Sequence, residues 1–126
     1  MTRRTLGGVC VTAALLAGAA LRGEAADVVE ILLRGHYFMA PATVQFTVAV
    51  EPDAANRLLR IEADGDELFR ASELTLNGAR EKRLHNFEFR NLPAGAYALR
   101  AAVLDSNYHV RGMDSHKLIV TGSGQR

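Results

Sequence analysis

Hydrophobic and polar residues alternate along most of this chain. The segment ATVQFTVAV, residues 42–50, places one valine, one phenylalanine and two further valines on one face and threonine and glutamine on the other. A period of two is that of a β-strand with one buried face, whereas a helix needs apolar residues three and four positions apart. The same alternation recurs in RLLRIEA, RLHNFEF, AYALRAAV and HKLIV. The pattern predicts an all-β domain.

Turn signals separate the alternating segments. Counting DVVEILLR, residues 27–34, as a first edge strand gives about seven antiparallel strands at intervals of some ten residues, which is typical of a single immunoglobulin-like two-sheet sandwich. The apolar phase changes between Phe69 and Leu74, which predicts a bulge or a change of sheet near Ser72 and Glu73. The clearest turn signals are Pro52-Asp53, Asp64-Gly65 and Asn77-Gly78.

The first part of the chain has the pattern of an export signal. Arg3 and Arg4 precede an uncharged apolar run over 6–21, and Gly23 and Ala25 supply the small residues of a cleavage site. The run is shorter than the roughly 20 apolar residues of a membrane span. We expect a signal peptide at 1–26, a domain at 27–121 and a flexible tail at 122–126. The expected location is the periplasm or the exterior, by the general secretory route rather than twin-arginine export.

Composition after the signal excludes several kinds of chemistry. Cys10 leaves with the signal, so the domain has no disulfide framework and no thiolate ligand. Of 15 basic and 14 acidic residues, three and one respectively precede Asp27, which leaves 12 against 13. This balance predicts no nucleic-acid binding and no strong attraction to an anionic membrane.

The segment NLPAGAY, residues 91–97, stands between two predicted strands. Its spacing Leu-Pro-x-Gly-x-Tyr resembles the corner of bacterial immunoglobulin-like, fibronectin-type and carboxypeptidase-regulatory-like sandwiches. The resemblance implies that Leu92 closes the end of the core, that Gly95 permits the bend and that the Tyr97 hydroxyl bonds the backbone. It is a resemblance of fold, and it implies no catalytic residue.

Enzyme signatures are absent from the sequence. It contains no phosphate-binding glycine loop, no dinucleotide fingerprint, no HExxH zinc motif and no GxSxG elbow. The sequence therefore favours a non-catalytic binding or accessory module without a cofactor, acting on another protein or a component of the cell envelope. The oligomeric state stays open.

The predicted binding surface is the stretch DSNYHVRGMD, residues 105–114, which reads as the longest irregular segment. Loops on a rigid sandwich commonly carry recognition, and Tyr108, His109 and Arg111 are side chains of the kind that anchor interfaces. An ordinary solvated loop is the alternative interpretation.

A metal site is the alternative function. His109, Met113 and His116 lie close in sequence, and imidazole with thioether suits copper, especially Cu(I). His36 and Met39 could join them if the first and last strands are neighbours. The spacing matches no copper motif, so the sequence ranks this alternative second.

Overall fold

The computed structural model describes residues 28–122. Regular structure in this range consists of strands and one 3₁₀ turn, Gly78–Arg80. The predicted signal at 1–26 and all but the first residue of the predicted tail lie outside the described residues. The strands are β1 (Val29–Leu32), β2 (Tyr37–Met39), β3 (Ala42–Val50), β4 (Leu58–Gly65), β5 (Phe69–Thr75), β6 (Leu84–Leu92), β7 (Gly95–Leu104) and β8 (Val110–Thr121).

The strands form two facing sheets. One has the order β1-β3-β6 and the other the order β2-β8-β7-β4-β5. The prediction of about seven antiparallel strands is therefore corrected to eight, with one parallel pair, β2 and β8. The reason lies in residues 33–36, where the chain crosses from the smaller sheet to the larger one without reversing direction. No helix long and apolar enough to cross a membrane occurs in the described range.

The alternation in the sequence places the core between the sheets. On β3 the buried positions are Val44, Phe46, Val48 and Val50, as the pattern predicts. The facing sheet contributes side chains with no solvent exposure at all, and removal of this apolar surface from water is the main stabilising term of the fold. These side chains include Leu59, Ile61, Ala63, Leu99, Ala101, Val103 and Leu118.

Strand β5 is the edge of the five-stranded sheet, and the prediction of a bulge there is wrong. Its pairing with β4 runs without interruption from Leu58 opposite Thr75 to Asp64 opposite Phe69. Nearly all of β5 is exposed, because the three-stranded sheet is too narrow to cover it. On a strand that no sheet covers, apolar residues need not all lie on one face, so the change in the apolar pattern between Phe69 and Leu74 does not require a bulge. The register instead shifts between β3 and β6 near Ala42 and between β7 and β8 near Val103.

The two ends of the sandwich differ in what connects the strands. The hairpin end carries the connections 51–57, 76–83 and 105–109, and the corner end carries 40–41, 66–68 and 93–94. Strand β7 runs from the corner end to the hairpin end. The segments that the sequence singled out as a corner and as a binding loop therefore flank one strand.

Candidate functional site

The connection between β7 and β8 is a short, hydrogen-bonded turn. Strand β8 begins at Val110, so the expectation of an irregular segment over 105–114 is wrong for its second half. Asp105 organises the remaining five residues: its Oδ1 accepts hydrogen bonds from the backbone N–H groups of Asn107 and His109, both at 2.9 Å. Its backbone carbonyl accepts from Tyr108 N and its N–H donates to His109 O, both at 3.0 Å. Four hydrogen bonds to one residue fix the turn.

The hydrogen bonds of the turn also change the pKa of the Asp105 carboxyl group. The N–H groups of His109 and Asn107 stabilise the carboxylate, and they hold the pKa of Asp105 below its ordinary value of 3.8. The carboxylate therefore stays ionised and keeps both hydrogen bonds through the neutral and mildly acidic range.

Tyr108 projects from this turn into solvent. Its φ of 64° lies in the left-handed region, which a bulky residue rarely adopts, and 70% of the side chain is exposed. The strained backbone is held by the hydrogen bonds around Asp105. A large aromatic side chain that is strained and unburied contributes little to the stability of the fold, and such outliers concentrate at functional sites.

His109 and Arg111, the other two predicted binding residues, have different surroundings. The imidazole of His109 is exposed, with Nδ1 at 3.8 Å from Asp105 Oδ2. Arg111 Nη1 donates to Asn56 Oδ1 at 3.0 Å and lies 3.6 Å from Asp53 Oδ1. Asn56 is buried and its Nδ2 donates to Glu51 O. Arg111 therefore braces the hairpin against the β3–β4 connection, and Tyr108 and His109 remain available to a partner.

Two exposed apolar residues that follow Tyr108 in the chain lie on the outer face of the five-stranded sheet. Val110 is 58% exposed and Met113 is 49% exposed, and they pair with Leu104 and Ala102 of β7. Leu104 is buried, yet it does not belong to the core cluster between the sheets. It forms the floor of a small apolar surface outside the core. We call Tyr108, Val110 and Met113 the hairpin patch.

Sequence reasoning missed two members of the hairpin patch. Val110 and Met113 lie within the predicted surface 105–114, but the sequence names neither as a binding residue, and it gives Met113 only as a ligand of the alternative metal site. One signal was present: Val103 and Leu104 are adjacent apolar residues at the end of an alternating strand, so one of them has to face outward.

The structure does not bring the predicted copper ligands together. Met113 pairs with Ala102 on the outer face of β8, whereas His116 pairs with buried Leu99 on the inner face. Side chains on opposite faces of one strand point away from each other, so Met113 and His116 cannot share an ion. His109 lies in the turn, and Met39 is exposed on β2. No group of three or more His, Cys, Asp or Glu side chains within 28–122 is arranged to hold a metal ion.

The corner is built as the resemblance implies. Leu92 is fully buried, and the Tyr97 hydroxyl donates to Pro93 O at 2.6 Å while the ring is 4% exposed. Gly95 has a φ of 154°, which L side chains rarely adopt. Burial raises the pKa of Tyr97. Gly65 lies opposite Tyr97 on β4, and a Cβ there would approach two ring atoms to 2.7 Å.

A second concave surface lies on the three-stranded sheet. An open groove of about 680 Å³ is lined by polar residues of β3 and β6, by Arg34, and by the apolar side chains of Leu32, Phe38, Phe46 and Phe87. Thr47 Oγ1 donates to Asn86 Oδ1 at 2.8 Å, Gln45 Nε2 donates to Glu88 Oε1 at 3.3 Å, and Arg90 pairs with Glu88. These polar groups bond one another across neighbouring strands, which is the ordinary arrangement of a solvated sheet face.

Comparisons with known proteins show the fold. No protein-family model matches the chain, and no curated protein matches it. Among solved structures, it is similar to the PKD domain of an M14-like peptidase from a Thermoplasmatales archaeon, with a TM-score of 0.54 and 10% identity over 75% of this chain and 93% of that one. A family 76 glycoside hydrolase from Bacteroides thetaiotaomicron matches with a TM-score of 0.51 and 12% identity, over 74% of this chain and 20% of the hydrolase.

A third similar structure is the CARDB domain of a Pyrococcus furiosus protein, with a TM-score of 0.49 and 13% identity over 75% of this chain and 94% of that domain. Identities this low show a common fold and nothing of activity. The two facing sheets, together with the similarity to the two structures whose TM-scores exceed 0.5, define the described residues as an immunoglobulin-like β-sandwich.

Proposed function

We propose that this chain is an exported, non-catalytic binding module whose hairpin patch docks on another protein or on a component of the cell envelope. One observation carries the proposal: the side chains of Tyr108, in a turn that four hydrogen bonds to Asp105 hold in place, and of Val110 and Met113, at the start of β8, are all exposed.

Such a surface has the properties of a small recognition site. Exposed apolar side chains that lie next to one another mark interaction surfaces more often than scattered ones do. Tyrosine is enriched among residues that dominate binding energy, because it buries a large rigid surface and keeps a polar hydroxyl. A turn that is already ordered loses little conformational entropy on binding. The polar side chains of His109 and Asp105 border the patch.

A non-catalytic role is supported by the side-chain contacts. The histidine–carboxylate pairs are His109 with Asp105 and His116 with Asp114. None of the hydrogen bonds described for 28–122 joins either imidazole to a serine or threonine hydroxyl, which a nucleophile activated by a base would require. Export is supported by the charge and apolar pattern of residues 1–26.

The test of the binding role uses a matched pair of tyrosine variants. The native protein with a photoreactive cross-linker would be applied to an extract of the producing cell's envelope, alongside Tyr108→Ser and Tyr37→Ser. Tyr37 is a fully comparable exposed tyrosine, at 77% exposure, on β2 at the corner end. We expect one cross-linked species that is lost in Tyr108→Ser and kept in Tyr37→Ser.

Equal loss in both variants would contradict a role for the hairpin patch. Export is checked separately, by the intact mass of the native protein. We expect a chain that begins at Ala26 or Asp27, and a native chain that retains the first 25 residues would overturn the proposed location.

A further inference from the structure

Two histidines distant in sequence lie side by side where β2 joins β8. The ring centres of His36 and His116 are 5.9 Å apart, with an angle of 37° between the rings. The parallel pairing of β2 with β8 creates this contact, because Ile119 N donates to His36 O at 2.7 Å at the start of the ladder. Both imidazoles are accessible: His36 is exposed and the His116 side chain is 35% exposed.

The hydrogen bond of His36 sets its tautomer. Nδ1 lies 3.0 Å from the carbonyl oxygen of Lys117. A carbonyl oxygen can only accept, so Nδ1 carries the proton and donates it. Nε2 of the neutral ring is then left with an unshared electron pair.

The surroundings of His116 set its tautomer in the same way, through a carboxylate. Nε2 lies 3.3 Å from Asp114 Oδ2, an ion-pair distance at which the carboxylate favours the ring form with the proton on Nε2 and the unshared pair on Nδ1. The carboxylate is itself held in place. Oδ2 accepts from Ile31 N at 2.8 Å and Oδ1 accepts from Ser115 N at 2.9 Å. Asp114 thus fixes His116 while it links β8 to the free edge of β1.

This arrangement is the one that surrounds metal-binding histidines. Such histidines almost always donate the N–H of the other ring nitrogen to a carboxylate or to a backbone carbonyl, and this contact orients the ring and raises its basicity. His116 has the first kind of partner and His36 has the second. The separation also fits, since two imidazoles on one ion with metal–nitrogen bonds of about 2.0–2.1 Å have ring centres roughly 4.5 to 6.5 Å apart, depending on the angle between the two bonds.

We propose that His36 Nε2 and His116 Nδ1 together bind one divalent transition-metal ion, copper(II) in preference to zinc(II). Imidazole suits both ions, and copper(II) binds more tightly to a given set of nitrogen ligands, whereas calcium and magnesium require oxygen ligands. Within the described part of the chain no third His, Cys, Asp or Glu side chain completes a cluster, and we expect water or an external ligand in the remaining positions. The site lies away from the hairpin patch, and it does not depend on the proposed binding role.

The experiment is a copper(II) titration of the untagged protein in competition with a chelator, followed by electron paramagnetic resonance. We expect one copper(II) per chain with nitrogen hyperfine structure from two imidazoles. His36→Gln and His116→Gln should each weaken binding at least tenfold. His109→Gln is the matched control, because His109 is an exposed histidine beside an aspartate at the other end of the molecule, and it should leave the affinity unchanged.

Two further measurements separate ligation from a structural effect. Asp114→Asn should weaken copper binding by about 10- to 100-fold, because it removes the charge that orients His116. Thermal unfolding without metal should be the same for His116→Gln and wild type, and copper should raise the midpoint only in wild type. The proposal is overturned by an absence of stoichiometric binding, by an equal loss in His109→Gln, or by tighter binding of zinc than of copper.

Discussion

Strand β7 has a tyrosine-bearing turn at each end, and the two turns use the tyrosine in opposite ways. At the corner end, Tyr97 is buried and its hydroxyl holds the turn closed through Pro93 O. At the hairpin end, the carboxylate of Asp105 holds the turn closed and Tyr108 is left exposed. A side chain that stabilises its own turn is not available to a partner. The comparison therefore distinguishes a scaffold tyrosine from an exposed tyrosine, for which we propose a role in recognition, by what closes each turn.

The comparison predicts that the corner tolerates no added volume. Gly65→Val would place a side chain against the Tyr97 ring, which the bond to Pro93 prevents from moving, so we expect a loss of about 3 kcal/mol in the free energy of unfolding. Urea denaturation measures it. Gly35→Val is the matched control, because nothing lies within 4 Å of a Cβ at Gly35. A tolerated Gly65→Val would mean that the ring is free to shift.

The Tyr97 hydroxyl should contribute a smaller amount by itself. Tyr97→Phe keeps the ring and removes the donor to Pro93 O, with an expected loss of about 1–2 kcal/mol. Because burial raises the pKa of Tyr97 above 10.0, its stabilisation is complete below that pH and decreases as the pH rises through the folded-state pKa. The difference between wild type and Tyr97→Phe should therefore shrink in alkali. Tyr108→Phe, at the other turn, should have the stability of wild type at neutral pH, because its side chain is 70% exposed.

The hairpin turn should show the opposite dependence on pH. The pKa of Asp105 is lowered in the folded state, so its stabilising effect is present above 3.8 and is lost as the pH falls through the folded-state value. Asp105→Asn should be less stable than wild type near neutrality and should converge with it in acid. Thermal unfolding across this pH range measures the two curves. Curves that run parallel into acid would show that the carboxylate charge does not hold the turn.

The smallest effect on stability should come from Tyr108 itself. Tyr108→Gly removes an exposed side chain from a residue with a φ of 64°, which glycine adopts without strain. We expect stability to be unchanged or raised, within about 1 kcal/mol, while binding to the cross-linked partner is lost. A marked loss of stability would show that Tyr108 belongs to the scaffold, and the contrast between the two turns would fail.

A comparison of strands β3 and β5 shows where the alternation of apolar and polar residues predicts the buried face of a strand correctly and where it does not. The buried face of β3 was predicted residue by residue, because a sheet covers it and burial selects apolar side chains at every second position. On β5 the apolar phase was misleading, since no sheet covers that strand. The period of two in a sequence indicates which face of a strand is buried. It therefore predicts the structure of a strand only where another sheet covers one of its faces.

The sequence by itself determined the class of fold, the positions of most strands and the corner at Leu92, Gly95 and Tyr97. These depend on local rules: period-two burial and the conformational needs of a tight turn. It also identified Tyr108 and His109 as exposed candidates. Within the same candidate surface, it could not show that Arg111 is engaged by Asn56, since that contact joins residues 55 positions apart.

Only the tertiary structure decided which distant residues meet. The crossing over 33–36 takes the chain to the second sheet, and the parallel pairing of β2 with β8 brings His36 to His116, 80 positions apart in the sequence. Strand pleating separates Met113 from His116, although the two residues are only three positions apart in the sequence. Successive side chains along one strand alternate between its two faces, so residues close in sequence can point apart. Which residues of neighbouring strands meet depends instead on the register of the pairing. Register is fixed by the packing of the whole core.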